Sequence, residues 1–248
     1  MNCIQLFDGK QNMRFDFDVI VIGGGHAGCE AAVAAARLGA ATLLITADMN
    51  RVAQMSCNPA IGGIAKGQIV REIDALGGMT GVVTDLCSVQ FRMLNRSKGP
   101  AVWSPRAQCD RTKYIDVWRQ ILDDTDNLML CQDTVNEFVL EDLPDGRKSV
   151  KGVVTALGVR FNARKVILTA GTFLNGLMHF GELQVPGGRI SEQSSHGLTE
   201  QLKSLGFVAD RMKTGTPARI DGRTVDYSLA VTQQGDDEVE ETNSRVAC

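Results

Sequence analysis

The sequence has no apolar run of 18 or more residues, no CxxC pair, no internal repeat and no strong excess of either charge. Each absence excludes a class of protein. Without an apolar run of that length there is no candidate membrane-spanning helix. The first sixteen residues, MNCIQLFDGKQNMRFD, mix charges of both signs around no apolar centre, so they do not read as a secretory signal. Seven cysteines, an odd number without paired spacing, fit reduced thiols in a cytoplasm rather than a disulfide framework or a zinc site, and no metal is expected. A net charge of -3 gives no global attraction to polyanions, so any such site must come from local clustering. What remains is ordinary for a folded chain: 248 residues, 44% of them hydrophobic, enough for one large or two modest domains.

Against that background one stretch stands out. Residues 17–28 read FDVIVIGGGHAG, an apolar run followed at once by Gly23-x-Gly25-x-x-Gly28. In this fingerprint a strand ends, the first glycine takes a sharp turn, the second lets the backbone approach a pyrophosphate, and the third lets the next helix lie close to the strand. The helix N-terminus then faces the anion with free N–H groups and the positive end of its dipole. The flanks supply the required context: HAGCEAAVAAARL reads as a helix, Gly39 as its terminating glycine, and ATLLIT at 41–46 as a second strand. Together they make one βαβ unit of roughly 30 residues. Ala27, Ala31 and Ala34 supply a small-residue face for seating the helix on the sheet. A ribose-binding carboxylate normally closes the second strand. Here that place holds Thr46, with Asp48 two residues on, and Asp48 reads equally as a ribose ligand or a turn aspartate, so this position does not choose between NAD and FAD.

Further along, MSCNPAIGGIAKG at 55–67 is a small-residue loop leading into a helix over 68–76, which Gly77-Gly78 ends. Residues 89–119 read as an irregular stretch giving way to a helix near 111–122. Short strands are expected at 128–130, 135–140, 150–157, 159–161 and 166–169, with a hairpin turn at LPDGRK and a short helix at 198–205. Antiparallel strands inserted before a return to a parallel sheet suit an α/β architecture, the FAD/NAD(P)-binding Rossmann-like fold of the glutathione reductase type. From Gly235 the chain turns acidic and polar, and poor order is expected there.

Two features outside the fingerprint could carry chemistry. Cys57, in Ser56-Cys57-Asn58-Pro59 ahead of a helix and near Lys66, reads either as a reactive thiol or as a small packing residue. Cys29, on the first turn after the fingerprint, reads as packing. Between 92 and 119 lie Arg92, Arg96, Lys98, Arg106, Arg111, Lys113 and Arg119, against only Asp110 and Asp116. Trp103, Tyr114 and Trp118 share that window, a mixture suited to phosphate contacts with base stacking, or equally to a basic surface loop with core aromatics. His26, His179 and His196 have no evident partner in the sequence.

GGGHAGCEAA, SCNPAIGGIAKG, VREIDALGG, FRMLNRSKGPAV, RAQCDR, LTAGTFLNG and KTGTPARID occur in this order between about residues 15 and 223. By these motifs the chain resembles the MnmG (GidA) family of tRNA uridine 5-carboxymethylaminomethyl modification enzymes. The resemblance implies a cytoplasmic FAD enzyme that works as a homodimer and, as a heterotetramer, with the GTPase MnmE. It implies addition of a carboxymethylaminomethyl or aminomethyl group to C5 of the wobble uridine of tRNA, with a folate one-carbon donor and with NADH as the reductant of the flavin. By matched position, Gly23, Gly24, Gly25, His26, Ala27 and Gly28 hold the FAD pyrophosphate, and Val135 and Ser195 make further FAD contacts. Cys57 matches one of two family cysteines implicated in the chemistry, and Arg92, Arg96, Lys98, Arg106 and Arg111 lie where tRNA can reach.

Family members are much longer, so the chain reads as an N-terminal piece. The expected parts are a leader over 1–14, an FAD-binding domain over 15–208 without its C-terminal return segment, and the start of an inserted domain over 209–248. The NADH site falls largely outside, and the chain alone is not expected to be catalytically competent. The alternatives are a non-catalytic FAD- or tRNA-binding module, or a relative of the folate- and FAD-dependent tRNA methyltransferase, which should lack the SCNPAIGGIAKG and NRSKGPAV stretches present here.

Overall fold

The computed structural model describes residues 15–236; the expected leader at 1–14 and the acidic tail past 236 lie outside the described residues. Along the chain come β1 (Phe15–Ile22), α1 (His26–Arg37), β2 (Thr42–Thr46), β3 (Ala60–Gly62), α2 (Lys66–Ala75), α3 (Thr80–Cys87), β4 (Ser88–Leu94), β5 (Ser104–Cys109) and α4 (Arg111–Asp123). They are followed by β6 (Leu128–Gln132), β7 (Val135–Asp142), β8 (Lys148–Thr155), β9 (Arg160–Leu168), β10 (Leu177–Phe180), β11 (Leu183–Pro186) and α5 (Leu198–Ser204). The chain divides into two compact units, residues up to 52 with 119–209, and residues 53–118 with those from 210 onward.

The first unit is built on a six-stranded sheet in the order β6-β2-β1-β9-β8-β7. β6, β2, β1 and β9 run parallel, and β9, β8 and β7 form an antiparallel meander that shares β9 with the parallel part. β2 is buried at all five positions, as expected of a parallel strand covered on both faces. Ile22 pairs with both Ile45 and Leu168, which brings the carboxyl ends of β1, β2 and β9 level with one another. On one face Ile20, Ile22, Leu43 and Ile45 pack with Val135, Phe138, Phe161 and Leu198. α1 packs on β1 and β2 and buries Gly28, Cys29, Ala32, Val33 and Ala36.

Two expectations are corrected in this unit. The buried face of α1 is not the Ala27, Ala31, Ala34 row, since Ala27 and Ala34 are exposed. Close approach of Gly28 to the turn sets the helix rotation, so the rows 28-32-36 and 29-33 face inward. The separate strands expected at 159–161 and 166–169 form one nine-residue strand, β9. Its polar middle, Asn162 to Lys165, is carried by ladder pairing with β1 along nearly the whole length of both strands.

The second unit holds α2, α3 and a three-stranded antiparallel sheet in the order β3-β5-β4. The stretch read as irregular from 89 onward is therefore partly strand, and its alternation explains why. Pro105, Ala107 and Cys109 on β5 are buried, while Arg106 and Gln108 between them are not, so charged residues interrupt what would otherwise read as an apolar run. Residues 210–234 are exposed throughout and contain only two single-turn helices, Gly222–Thr224 and Tyr227–Leu229. No helix among the described residues is long and apolar enough to cross a membrane.

Candidate functional site

The fingerprint glycines occupy three different environments. Gly23 has φ +102°, and a Cβ there would meet the carbonyl oxygen of Thr169 at 2.7 Å. A Cβ on Gly28 would collide with the Gly23 carbonyl oxygen, so only glycine lets the helix seat. Gly25 differs: a Cβ there would meet nothing within 4 Å. It is the N-cap of α1, which has no capping side chain and no acidic residue in its first turn. Open space in front of an uncapped helix N-terminus suits the oxygens of a pyrophosphate. The turn is held from both neighbouring strands: Gly23 N–H donates to Ile45 O at 2.8 Å, and the Thr169 hydroxyl donates to the carbonyls of Ile22 and Gly23 at 2.8 and 2.9 Å.

Around this turn Thr46 is buried and its side chain faces Gly24, where a Cβ would come within 2.8 Å of the threonine oxygen. Asp48 takes the turn role: one carboxylate oxygen accepts the Asn50 N–H at 2.8 Å and the other pairs with Arg51 at 3.1 Å. Arg51 also pairs with Glu192 at 2.7 Å, and Arg189 meets the second oxygen of Glu192 at 2.9 Å while lying 5.1 Å over the Phe173 ring. This cluster holds the loop that carries Ser195. The structure brings Ser195 and Val135 together, 60 residues apart in sequence, with the serine hydroxyl donating to the Val135 carbonyl at 3.2 Å. His196 has partners that its sequence context does not reveal: Ser194 Oγ lies 2.9 Å from Nε2 and Asn175 Oδ1 lies 2.7 Å from Nδ1. Asn175 in turn donates to Glu200 at 2.7 Å, and this bond holds the Glu200 carboxyl below its ordinary range. His26 lies on the first turn of α1, and His179 is exposed on β10.

In the second unit Cys57 is half-buried in the loop before β3. Arg92 on β4 and Arg106 on β5 are directly paired across the ladder, so two like charges share one face. The Arg106 Nε is buried and has no hydrogen-bond partner among the described residues. Arg96 and Lys98 sit on an exposed single-turn helix, and Arg111 opens α4. Asp236 reaches this group: its carboxylate accepts the Met93 N–H at 2.6 Å and pairs with Arg96 at 3.3 Å. Tyr114 and Trp118 are fully buried, whereas Trp103 remains 38% exposed with its indole N–H on the Arg96 carbonyl, so base stacking is open to Trp103 but not to the other two. Arg119, in the first unit, is engaged by Asp123 at 2.7 Å and the Met49 carbonyl at 3.2 Å. Cys29 is fully buried with its sulfur 3.5 Å from the Gly24 carbonyl. Cys87 and Cys109 are buried as well, and burial pushes the Cys109 thiol up to about 11. Among the described residues no group of His, Cys, Asp or Glu is arranged to hold a metal ion.

Four parallel strands with a glycine turn at the end of β1 and a helix behind it define an FAD/NAD(P)-binding Rossmann-like protein. Within that class, residues 18–248 match the family described as Glucose inhibited division protein A, and the chain belongs to that family. Over 226 residues it is 63% identical to the tRNA uridine 5-carboxymethylaminomethyl modification enzyme MnmG of Porphyromonas gingivalis, a match covering 91% of this chain and 35% of that one. The MnmG of Bacteroides fragilis is also 63% identical, over 224 residues, covering 90% of this chain and 35% of that protein. The crystal structure of Aquifex aeolicus GidA superposes with a TM-score of 0.83 at 48% identity, covering 90% of this chain and 36% of that one. The chain thus spans about a third of the length of the relatives it matches.

Proposed function

We propose that this chain is the FAD-binding part of a tRNA-modifying enzyme that adds a carboxymethylaminomethyl or aminomethyl group to C5 of the wobble uridine. The observation that carries the reading is the open, uncapped glycine turn, in a chain 63% identical to proteins named for that modification. Backbone N–H groups at Gly24 to Gly28 bind the pyrophosphate, with His26 and Ala27 on the first turn of the helix. The Val135 and Ser195 pair forms a second contact to the dinucleotide. FAD, when bound, supplies two-electron redox chemistry, with NADH as reductant. Cys57 acts as nucleophile or acid toward the uridine or the bound intermediate. Arg92, Arg96, Lys98, Arg106 and Arg111 take tRNA phosphates, and the cross-strand pairing of Arg92 with Arg106, two like charges side by side, supports an anionic partner on that face.

In this reading residues 15–208 make the FAD-binding domain and those from 209 begin an inserted one. The enzyme works in the cytoplasm as a homodimer, with the GTPase MnmE and a folate donor, and the present chain binds cofactor and tRNA without completing the reaction. Purified without denaturant and titrated with FAD, the chain is expected to quench flavin fluorescence and to carry a visible flavin band through gel filtration. A chain that stays colourless at saturating FAD overturns the cofactor assignment.

A further inference from the structure

Every residue from 210 to 234 is exposed, so no buried side chain holds this stretch to the second unit. Polar contacts do, and two of them converge on one residue. The Arg219 guanidinium donates to the carbonyl of Ser56 at 3.4 Å and, through the same nitrogen, to the carbonyl of Cys57. The Thr216 hydroxyl lies 3.9 Å from the Cys57 sulfur. Both side chains belong to KTGTPARID, a motif for which neither the fold nor the cofactor site has a use.

On its other side Cys57 is fixed by the sheet. Ala60 N–H donates to Asn58 O at 2.8 Å, Cys109 N–H donates to Pro59 O at 2.7 Å, and β3 pairs with β5 from Ala60 onward. The guanidinium therefore holds the carbonyls of Ser56 and Cys57, and the chain just after them, at Asn58 to Ala60, is held by its own turn and by β5. The two N–H bonds of that one nitrogen are fixed in the guanidinium plane and reach the carbonyls of consecutive residues, whereas the N–H bonds of an ammonium rotate freely. A hydroxyl beside the sulfur can donate to the thiolate that attacks, which is a stronger acceptor than the thiol.

We infer that Thr216 and Arg219 are positioning residues for Cys57: Arg219 fixes the Ser56-Cys57 peptide, and Thr216 hydrogen-bonds the sulfur in its reactive form. This rests on the proposed chemical role of Cys57, but its test does not depend on turnover. The test is site-resolved alkylation of Cys57 by iodoacetamide in the native chain, read by mass spectrometry, with amide exchange over residues 56–60. Thr216→Val is expected to slow alkylation by about tenfold, the loss of one charge-assisted hydrogen bond, while leaving amide exchange unchanged. Thr216→Ser, which keeps the hydroxyl, is expected to retain the native rate. Arg219→Ala is expected to speed amide exchange at 56–60, with Arg219→Lys between it and the native chain. Because both residues lie in the exposed stretch, far-UV dichroism should show all four variants folded. A native alkylation rate in Thr216→Val, or native exchange in Arg219→Ala, overturns the inference. Failure of the catalytic reading is a separate result: Cys57→Ser, in a chain of the relatives' length, would then modify tRNA normally while the alkylation results stand.

Discussion

The first unit prepares its candidate site with backbone, and the second with side chains. At the turn after β1 the working feature is the lack of Cβ atoms, at Gly23 and Gly28 so the chain can close and at Gly25 so a ligand can approach. In the second unit the working features are guanidinium, ammonium and thiol groups carried on a small antiparallel sheet and its loops. A backbone site tolerates no added atom at its closures and is indifferent to salt at its foundations. A charged-side-chain site tolerates substitution in its fold but weakens with ionic strength.

The contrast breaks most sharply at Gly28. Gly28→Val drives the new Cβ into the Gly23 carbonyl and is expected to cost on the order of 3–5 kcal/mol of stability and abolish FAD binding, read by thermal unfolding and flavin titration. Survival of both would mean the helix has another way to seat.

Alkaline pH probes the second unit's core. Because the folded Cys109 thiol is held up to about 11, the unfolded chain ionises first as pH rises above 9. The unfolded state is then favoured, and the stability this thiol contributes at neutral pH is lost progressively between about pH 9 and 11, up to about 3 kcal/mol. Cys109→Ala should flatten that part of the stability curve relative to the native chain. An identical slope in both would assign the decline to other groups.

For the basic face, Arg96→Ala with Lys98→Ala should lower tRNA affinity roughly tenfold at low salt. It should also reduce the slope of log affinity against log salt by about 1.5 to 2, leaving FAD binding intact. Unchanged slope would remove these residues from the interface. The smallest structural effect is expected at Gly25. Gly25→Ala enters open space at φ −76° and should change stability by no more than about 1 kcal/mol, while weakening FAD because the new methyl occupies the approach to the helix N-terminus. The pair Gly28→Val and Gly25→Ala thus separates the glycine that closes the fold from the glycine that leaves room for the ligand.

The same division explains what could be read from the residues. The strand, glycine turn and helix of the first unit obey local rules, so Gly23, Gly25 and Gly28 announce themselves by spacing, as do Gly39 and Gly77 at helix ends. The rotation of α1 does not, because the Gly28 approach to Gly23 fixes it rather than the alanine pattern. β4 and β5 are hidden for a different reason: Arg92 and Arg106 face one another across the ladder, and charged residues on one face of a small sheet mask its alternation. The Asn175 partner of His196, and those of Cys57, Thr216 and Arg219, come together only through tertiary contacts. No spacing rule reaches across 159 residues from Cys57 to Thr216.

One small contact bears on how the protein can be handled. β4 is an edge strand, and its outer rim is met by a short return of chain: Asp236 N–H donates to Phe91 O at 2.9 Å while the Asp236 carboxylate accepts the Met93 N–H. Gln90 and Arg92 add side-chain bonds to the carbonyls of Gln233 and Gln234 at 3.1 and 3.2 Å. A shortened variant that stops before Gln233 would leave that rim open, a free strand edge ready to pair with another molecule. Concentration-dependent aggregation, rather than unfolding, is the failure to expect from trimming there.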